Sequence, residues 1–212
     1  MILWDWNGTL LDDAQYCVNV MNPLLQEYHL QPFSSIEEYR EIFSFPVIDY
    51  YRRLGFPEKD LDVCGRRWMD RYIAGEKTIP LRKGAFQTLQ NVRAKGEKQM
   101  LLSASKTDLL EEQTRERGIR PLLDGILGLD NIWAASKIAI AQNYLLSSGI
   151  PPKECCMIGD SLHDAEVAQS VGCPCVLLTG GHQTKEKLQN AGVPVCSDPA
   201  EAAILALSII RK

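Results

Sequence analysis

The sequence predicts an α/β fold, a three-layer sandwich in which helices cover both faces of a mainly parallel sheet, with a helical insert. Short apolar runs alternate with segments of helical spacing from Pro80 onward, and several of these segments end at a glycine. Repeated strand–helix units of this kind predict parallel strands. Residues 13–79 instead show helical spacing and no convincing strand. We therefore predict a core domain of residues 1–12 and 80–212 and an inserted helical domain of residues 13–79.

The predicted elements begin with a buried strand over the apolar residues 1–4. Within the insert, Val47, Ile48, Tyr51 and Leu54 repeat at the spacing of one helix face, and prolines separate such stretches. Beyond the insert we predict, in chain order, a helix at 84–95, a strand at 98–103, helices at 106–117 and 137–148, a strand at 154–158, a helix at 162–171, a strand at 174–178, a helix at 185–191, a short strand at 193–196 and a helix at 199–210.

Composition restricts the class of protein. The 212 residues are 45% hydrophobic, which suffices for one core domain and an insert. Apolar runs fall short of the roughly 20 residues of a membrane span, and Asp5 interrupts the N-terminal apolar stretch, so we expect no signal peptide. The net charge of −4 with no long basic run argues against nucleic acid. We expect a cytoplasmic protein with no membrane or nucleic-acid partner, and the sequence leaves its oligomeric state open.

The cysteines predict buried structural thiols. There are seven of them, an odd number, and no secretory signal accompanies them. No paired C-x-x-C spacing occurs, which disfavours a zinc cluster. We therefore expect reduced thiols, as is usual in a cytosol.

Polar residues follow three of the predicted strands and predict one site. Asp5 follows the first strand, Ser103 ends the second, and Asp160 follows the strand at 154–158. In α/β sheets the ligand crevice lies outside these carboxyl ends. Carboxylates from two strands suit Mg²⁺, whereas the Ser103 hydroxyl and the Lys137 ammonium suit phosphoryl oxygens. Together they predict phosphoryl transfer to Asp5.

Each of these residues also has a purely structural interpretation. Asp160 and Ser103 stand before predicted helices, where such side chains often cap the first turn. Lys137 and Asp164 are residue types common on solvated helix faces. Their joint occurrence at one edge of the predicted sheet makes the functional interpretation the stronger one.

Four motifs carry a resemblance to a known family. Asp5, Gly8 and Thr9 match a D-x-D-G-T motif from which only Asn7 departs, and Gly159-Asp160 with Asp164 matches G-D-x-x-x-D. Ser103 and Lys137 match the intervening Ser/Thr and Lys motifs. In these motifs the chain resembles the haloacid dehalogenase-like hydrolase superfamily, in its branch of phosphoglycolate phosphatases and β-phosphoglucomutases. The resemblance implies a Rossmann-like core and an inserted C1-type cap.

The resemblance also implies roles for the site residues. It implies that Asp5 is phosphorylated and that Mg²⁺ binds Asp5, the backbone carbonyl of Asn7, and Asp160, while Asp164 orients the metal shell. Ser103, Ala104 and Lys137 would hold the phosphoryl group. The implied catalytic set is therefore Asp5, Asn7, Ser103 and Lys137, and the implied substrate is a small phosphorylated metabolite.

Asn7 leaves the reaction open. In phosphatases of this family an aspartate stands there and moves a proton, which an amide cannot do. A phosphatase with another acid–base group remains open, with His182 as a candidate, although a surface-loop histidine is the favoured interpretation; His163 is a weaker candidate. A different reaction, such as a phosphomutase or carbon–phosphorus cleavage through Lys77 or Lys59, also remains open. So does a catalytically weak phosphometabolite-binding protein.

The insert supplies candidates for substrate contact. Residues 43–47, Phe-Ser-Phe-Pro-Val, and the neighbouring Arg52 and Arg53 are the strongest by composition. For Phe45 and Val47 we favour packing in the helical core, and for the arginines a solvated helix face. For Asn7→Asp, the sequence predicts a larger gain in turnover on alkyl phosphates than on aryl or acyl phosphates.

Overall fold

The computed structural model describes residues 1–129 and 137–211 and contains a six-stranded sheet within them. All its strand pairs are parallel. The spatial order is β3-β2-β1-β4-β5-β6, so the chain leaves the first strand in one direction and later returns to its other side. This reversal beside the first strand creates a crevice at the carboxyl ends of the strands. The strands are β1 (Ile2–Trp4), β2 (Gln99–Lys106), β3 (Gly125–Leu129), β4 (Cys156–Gly159), β5 (Cys175–Leu178) and β6 (Val195–Cys196).

Helices cover both faces of the sheet, as the sequence predicted. Side chains alternate between faces along a strand, and Ile2 and Trp4 belong to one buried hydrophobic cluster while Leu3 belongs to another. The helices that follow the insert are α5 (Ala85–Ala94), α6 (Thr107–Glu116), α7 (Lys137–Ser148), α8 (Leu162–Val171), α9 (Lys185–Gln189) and α10 (Pro199–Ile210). The first cluster contains residues from α5 and α10, and the second contains residues from α7 and α8.

Four helices lie between β1 and α5. The stretch from 13 to 79 contains no strand and buries Leu24, Tyr39, Tyr51 and Cys64 in the larger hydrophobic cluster. The division of the chain into domains at residues 12/13 and 79/80 stays a prediction. The four helices are α1 (Ala14–Glu27), α2 (Ile36–Ile42), α3 (Val47–Leu54) and α4 (Leu61–Gly75).

Strand β3 has no counterpart among the predicted elements. Glycines, which are depleted in strands, begin it at Gly125 and interrupt it at Gly128, and they hide its signal. Packing explains Gly128. A Cβ there would lie 2.8 Å from the Ser105 carbonyl oxygen, whereas a Cβ on Gly125 would meet only the end of the flexible Met100 side chain. The sheet therefore needs glycine at position 128, where strand propensity disfavours it.

All seven cysteines are free and buried, which confirms the expected structural thiols. Burial raises the pKa of several of them, Cys17, Cys156 and Cys175 among these, because a buried thiolate is poorly solvated. Across the described residues, no helix combines the length and the apolar character needed to span a membrane.

Candidate active site

The sheet register brings three predicted site residues to one edge. Trp4, the last residue of β1, pairs with Leu101 on one side and with Ile158 on the other. Asp5 therefore leaves the sheet beside the residues that follow those partners. Ser103 lies two positions beyond Leu101, and Asp160 lies two positions beyond Ile158. All three side chains belong to residues that are at most 8% exposed.

Lys137 joins two carboxylates of this edge. Its position at the start of α7 sends Nζ between Oδ1 of Asp5, at 2.5 Å, and Oδ1 of Asp164, at 2.6 Å. The residue is only 4% exposed, so the solvated interpretation of this lysine is wrong. An ammonium that is buried between two carboxylates forms strong, charge-assisted hydrogen bonds. The contact fixes the position of the predicted nucleophile.

Thr9 and the backbone place the second carboxylate. The Thr9 hydroxyl lies 3.1 Å from Oδ2 of Asp5 and 3.0 Å from Oδ1 of Asp160. The remaining oxygen of Asp160 accepts from the His182 backbone N–H at 2.6 Å. Gly8 has a φ of +71°, and a Cβ there would lie 2.3 Å from that oxygen. Glycine is therefore required for Asp160 to lie this close to the first loop.

Both carboxylate oxygens of Asp164 accept hydrogen bonds. Lys137 occupies Oδ1, while Oδ2 accepts from the backbone N–H groups of Asp160 and Ser161 and from the Ser161 hydroxyl at 2.7 Å. These bonds organise the turn that presents Asp160. Lys137 and the Ser161 bonds hold the pKa of Asp164 below its usual value despite the opposing effect of burial. The arrangement fits a residue that orients other groups.

The electrostatics of the site are unbalanced without a further positive charge. Asp5, Asp160 and Asp164 place oxygens within 4.8 Å of one another, and Lys137 is the cation that contacts two of them. Burial, opposed by Lys137, raises the pKa of Asp5 to about 8. Burial also raises the pKa of Asp160. Burial alone would lower the pKa of Lys137, but Asp164 and Asp5 raise it overall. A divalent cation on hard oxygen ligands would offset this excess, so the donor set fits Mg²⁺.

The loop after β1 contains a network that the sequence analysis did not identify. Asp13 stands at the N-terminal end of α1, yet its side chain makes no capping bond there. Its carboxylate instead accepts from the side-chain Nδ2 of Asn7 at 2.7 Å, from the Tyr72 hydroxyl at 2.9 Å, and from the Gly8 backbone N–H at 2.7 Å. His182 Nε2 lies 3.2 Å from the same carboxylate.

His182 is buried rather than on a surface loop, so the favoured interpretation from sequence is wrong. It is 7% exposed, its Nε2 faces Asp13, and its Nδ1 lies 2.7 Å from the Tyr39 hydroxyl. The preceding glycine makes this possible, since a Cβ on Gly181 would lie 2.1 Å from Asp160. Burial opposes a charge on the ring, but Asp13 outweighs it and raises the pKa of His182 to about 9.

Ser103 and Ala104 lie at the open side of this edge. Ser103 is buried and its hydroxyl accepts from the Ser105 backbone N–H at 3.1 Å, whereas Ala104 is exposed. The Ser105 hydroxyl lies 3.4 Å from Oδ1 of Asn7, a weak contact. The C-terminal end of β2 therefore lies next to Asn7.

Helix α2 and the segment after it form one of the contacts between the insert and the core. Arg40 donates at 2.8 Å to the carbonyl oxygens of Gly180 and Gly181. Phe45 is 38% exposed and stacks on His163 with ring centroids 4.7 Å apart, and Val47 is 39% exposed. The expectation that Phe45 and Val47 pack in the helical core is therefore wrong. Phe45 lies in the connection between α2 and α3, and Val47 is the first residue of α3, so neither stands inside a helix face that packs on the core.

Other candidates from the sequence lie apart from the site. Arg52 pairs with Asp49 and Glu58 on the surface, in agreement with a solvated helix face. Lys77 is exposed and paired with Glu112 and Glu116, which raise its pKa. Lys59 and Arg53 are exposed.

Comparisons with known proteins agree with this geometry. The family model for haloacid dehalogenase-like hydrolases matches residues 2–178. A phosphoglycolate phosphatase from Aliivibrio fischeri is 26% identical over all of this chain and 97% of its own. A structure described as a predicted phosphatase from Clostridium acetobutylicum superposes with a TM-score of 0.83 at 20% identity, covering 98% of this chain and 97% of its own. A hydrolase from Streptococcus pneumoniae of the same family name gives a TM-score of 0.82 at 18% identity, covering 97% and 96%. The chain, with its parallel sheet and its site at the carboxyl edge, belongs to the haloacid dehalogenase-like hydrolase family and is a phosphatase.

Proposed function

We propose that this phosphatase is Mg²⁺-dependent and removes phosphate from a small phosphorylated metabolite through an aspartyl-phosphate on Asp5. The observation that carries the proposal is the position of Lys137, which lies between Asp5 and Asp164 at 2.5 and 2.6 Å, beside Asp160. A buried nucleophilic carboxylate, a fixed ammonium and further hard oxygen ligands are the parts that phosphoryl transfer requires.

The residues have separate tasks in this proposal. A carboxylate oxygen of Asp5 attacks phosphorus, the ester oxygen leaves and takes up a proton from solvent, and water then attacks the same phosphorus and loses a proton to solvent, which releases phosphate and frees Asp5. Lys137 orients Asp5 and neutralises phosphoryl oxygens, to which the Ser103 hydroxyl and the backbone of Ala104 also donate. Asp5, Asp160 and the Asn7 backbone carbonyl would hold Mg²⁺, with Asp164 orienting the metal shell. When bound, the cation supplies positive charge to the phosphoryl oxygens.

The substrate proposal rests on the relatives. The relative from Aliivibrio fischeri is named phosphoglycolate phosphatase, and the chain covers nearly its full length. We therefore propose phosphoglycolate or a similarly small alkyl phosphate. Carbon–phosphorus cleavage through an insert lysine finds no support, because Lys77 is exposed and its pKa is raised. The free, buried thiols favour a cytoplasmic location.

A phosphate-release screen tests the proposal. Purified protein would be assayed on phosphoglycolate, other small phosphate esters and p-nitrophenyl phosphate, with Mg²⁺ and after chelation. We expect turnover that requires Mg²⁺ and disappears in Asp5→Asn, with Asp70→Asn, an exposed carboxylate in α4, as the matched control. Absence of turnover on every ester, together with measurable binding of phosphoglycolate, would instead favour a binding protein.

A further inference from the structure

The side chain of Asn7 donates a hydrogen bond to the carboxylate of Asp13, and both oxygens of that carboxylate have several partners. Oδ2 accepts from Nδ2 of Asn7 at 2.7 Å and from the Tyr72 hydroxyl at 2.9 Å, with the Cys17 thiol at 3.7 Å. Oδ1 accepts from the Gly8 backbone N–H at 2.7 Å and faces Nε2 of His182 at 3.2 Å. Asp13 itself is 1% exposed. These contacts hold the buried Asp13 carboxylate in a single orientation.

This network determines which way the Asn7 amide points. An ionised carboxylate accepts hydrogen bonds and donates none, so the amide nitrogen must face Asp13. Asn7 Nδ2 is also 3.0 Å from the Tyr72 oxygen, which is free to accept because its own hydrogen goes to Asp13. Asn7 Oδ1 is consequently left on the opposite side, towards Ser105 at the end of β2. The amide offers the reactive edge an acceptor and no proton.

We propose that Asp13 is a positioning residue for Asn7, and that the two form a coupled amide–carboxylate pair in which Asn7 Oδ1 orients the hydroxyl group or water at the phosphoryl site. The proposal rests on the function proposed above and extends it. An acceptor in this position holds a water molecule or leaving hydroxyl by its hydrogen, which aligns it for in-line transfer. Tyr72 in helix α4 also helps to position the Asn7 side chain, since its hydroxyl contacts both Asn7 and Asp13.

The pair changes what Asn7→Asp alone will do. That substitution would place a second carboxylate where Asn7 now donates to Asp13 at 2.7 Å, so two acceptors of like charge would face each other. The gain in turnover predicted from sequence is therefore not expected from the single variant. Asn7→Asp combined with Asp13→Asn restores one donor and one acceptor: the amide introduced at position 13 can keep the bonds from Gly8 and His182 on its oxygen and donate from its nitrogen.

A double-mutant cycle tests the coupling in the protein without metal or substrate. Wild type, Asn7→Asp, Asp13→Asn and the combined variant would be unfolded with denaturant at pH 7, with Asp70→Asn as the matched surface control. We expect each single variant to lower the midpoint and the combined variant to recover most of the loss. The side-chain amide signal of Asn7 in an NMR spectrum should also shift strongly in Asp13→Ala, because its acceptor is removed.

Kinetics separate positioning from a purely structural role. We expect Asp13→Ala to lower kcat on phosphoglycolate by on the order of 10²-fold, the loss that a misplaced group causes, with little change in KM. The combined variant should recover kcat, and recover it more on phosphoglycolate than on p-nitrophenyl phosphate, whose leaving group needs no proton. Strictly additive midpoints, or an Asp13→Ala variant that loses stability but keeps kcat, would overturn the proposal.

The experiments distinguish a failure of the proposed function from a failure of the positioning role of Asp13. If the wild type hydrolyses no ester, the phosphatase substrate proposal fails, and the unfolding cycle and the Asn7 amide signal still decide whether Asp13 positions Asn7. An unshifted amide signal in Asp13→Ala would overturn the positioning role whatever the activity.

Discussion

The Tyr39 hydroxyl in helix α2 lies 2.7 Å from Nδ1 of His182, and this hydrogen bond joins the helical insert to the loop after strand β5. We expect Tyr39→Phe to lower the free energy of unfolding by about 1–3 kcal/mol, because it leaves a buried ring nitrogen without its partner. Denaturant unfolding measures the loss. Tyr50→Phe is the matched control, since the Tyr50 hydroxyl is buried with no hydrogen-bond partner in the described structure; equal losses in both variants would contradict the expectation.

Lys137→Met tests the central cation. Removing the ammonium leaves the buried carboxylates of Asp5 and Asp164 uncompensated, which typically costs about 3–5 kcal/mol. Turnover should fall by on the order of 10²–10³-fold, the usual effect of losing a group that stabilises developing charge. Unfolding of the metal-free protein and kcat on phosphoglycolate measure the two effects. Lys77→Met removes a lysine from exposed ion pairs instead and should change neither appreciably.

The pair of His182 and Asp13 makes stability depend on pH. The pKa of His182 is raised from 6.5 to about 9, so its contribution is complete below pH 6.5 and is lost as the pH rises through 9. A shift of this size corresponds to roughly 3 kcal/mol. The pKa of Asp13 is lowered, so its contribution disappears on acidification. Metal-free unfolding between pH 6 and pH 9 should show the loss in wild type.

Two histidine variants identify the source of that dependence. His182→Gln should flatten the stability profile between pH 8 and pH 9, where the Asp5 contribution has already ended, whereas His163→Asn, whose side chain is partly exposed on α8, should keep the wild-type slope. A steep slope that survives in His182→Gln would assign the dependence to another group.

Asp5→Asn is expected to separate activity from stability. The pKa of Asp5 is raised to about 8, so in the metal-free protein stability falls as the pH rises from 3.8 towards that value. A neutral amide avoids this cost and should maintain or raise the unfolding midpoint at pH 8 while it abolishes turnover. Added Mg²⁺ should stabilise the wild type more than the variant, since binding to the folded state alone raises stability. A large loss of metal-free stability in Asp5→Asn would contradict this expectation.

Elements with strong local signals could be predicted from sequence. Helices α8 and α10 span the predicted residues, and α7 ends before Gly149 as predicted. Asp5, Ser103 and Asp160 follow apolar runs, and parallel strands bring such ends together. The roles of these site residues stay predictions that the proposed experiments address.

Long-range partners account for what the sequence could not show. Asp13 resembles a helix cap, and its contact with His182 joins residues 169 positions apart. Nothing near His182 in sequence distinguishes a buried ring from a surface one. Strand β3 was hidden by its glycines, of which Gly128 is needed because it lies against the Ser105 backbone of a neighbouring strand. These features depend on tertiary contacts, which local patterns do not encode.

The buried cysteines can report when the folded chain opens. A thiol reagent reacts with an exposed thiolate, and none of the seven sulfur atoms belongs to an exposed residue in the folded chain. Labelling must therefore wait for a local or global opening event. Cys17 and Cys64 lie in helices α1 and α4 of the insert, whereas Cys156 and Cys175 lie in central strands. The order in which these positions become labelled would rank the stability of the insert against that of the sheet, with no added probe.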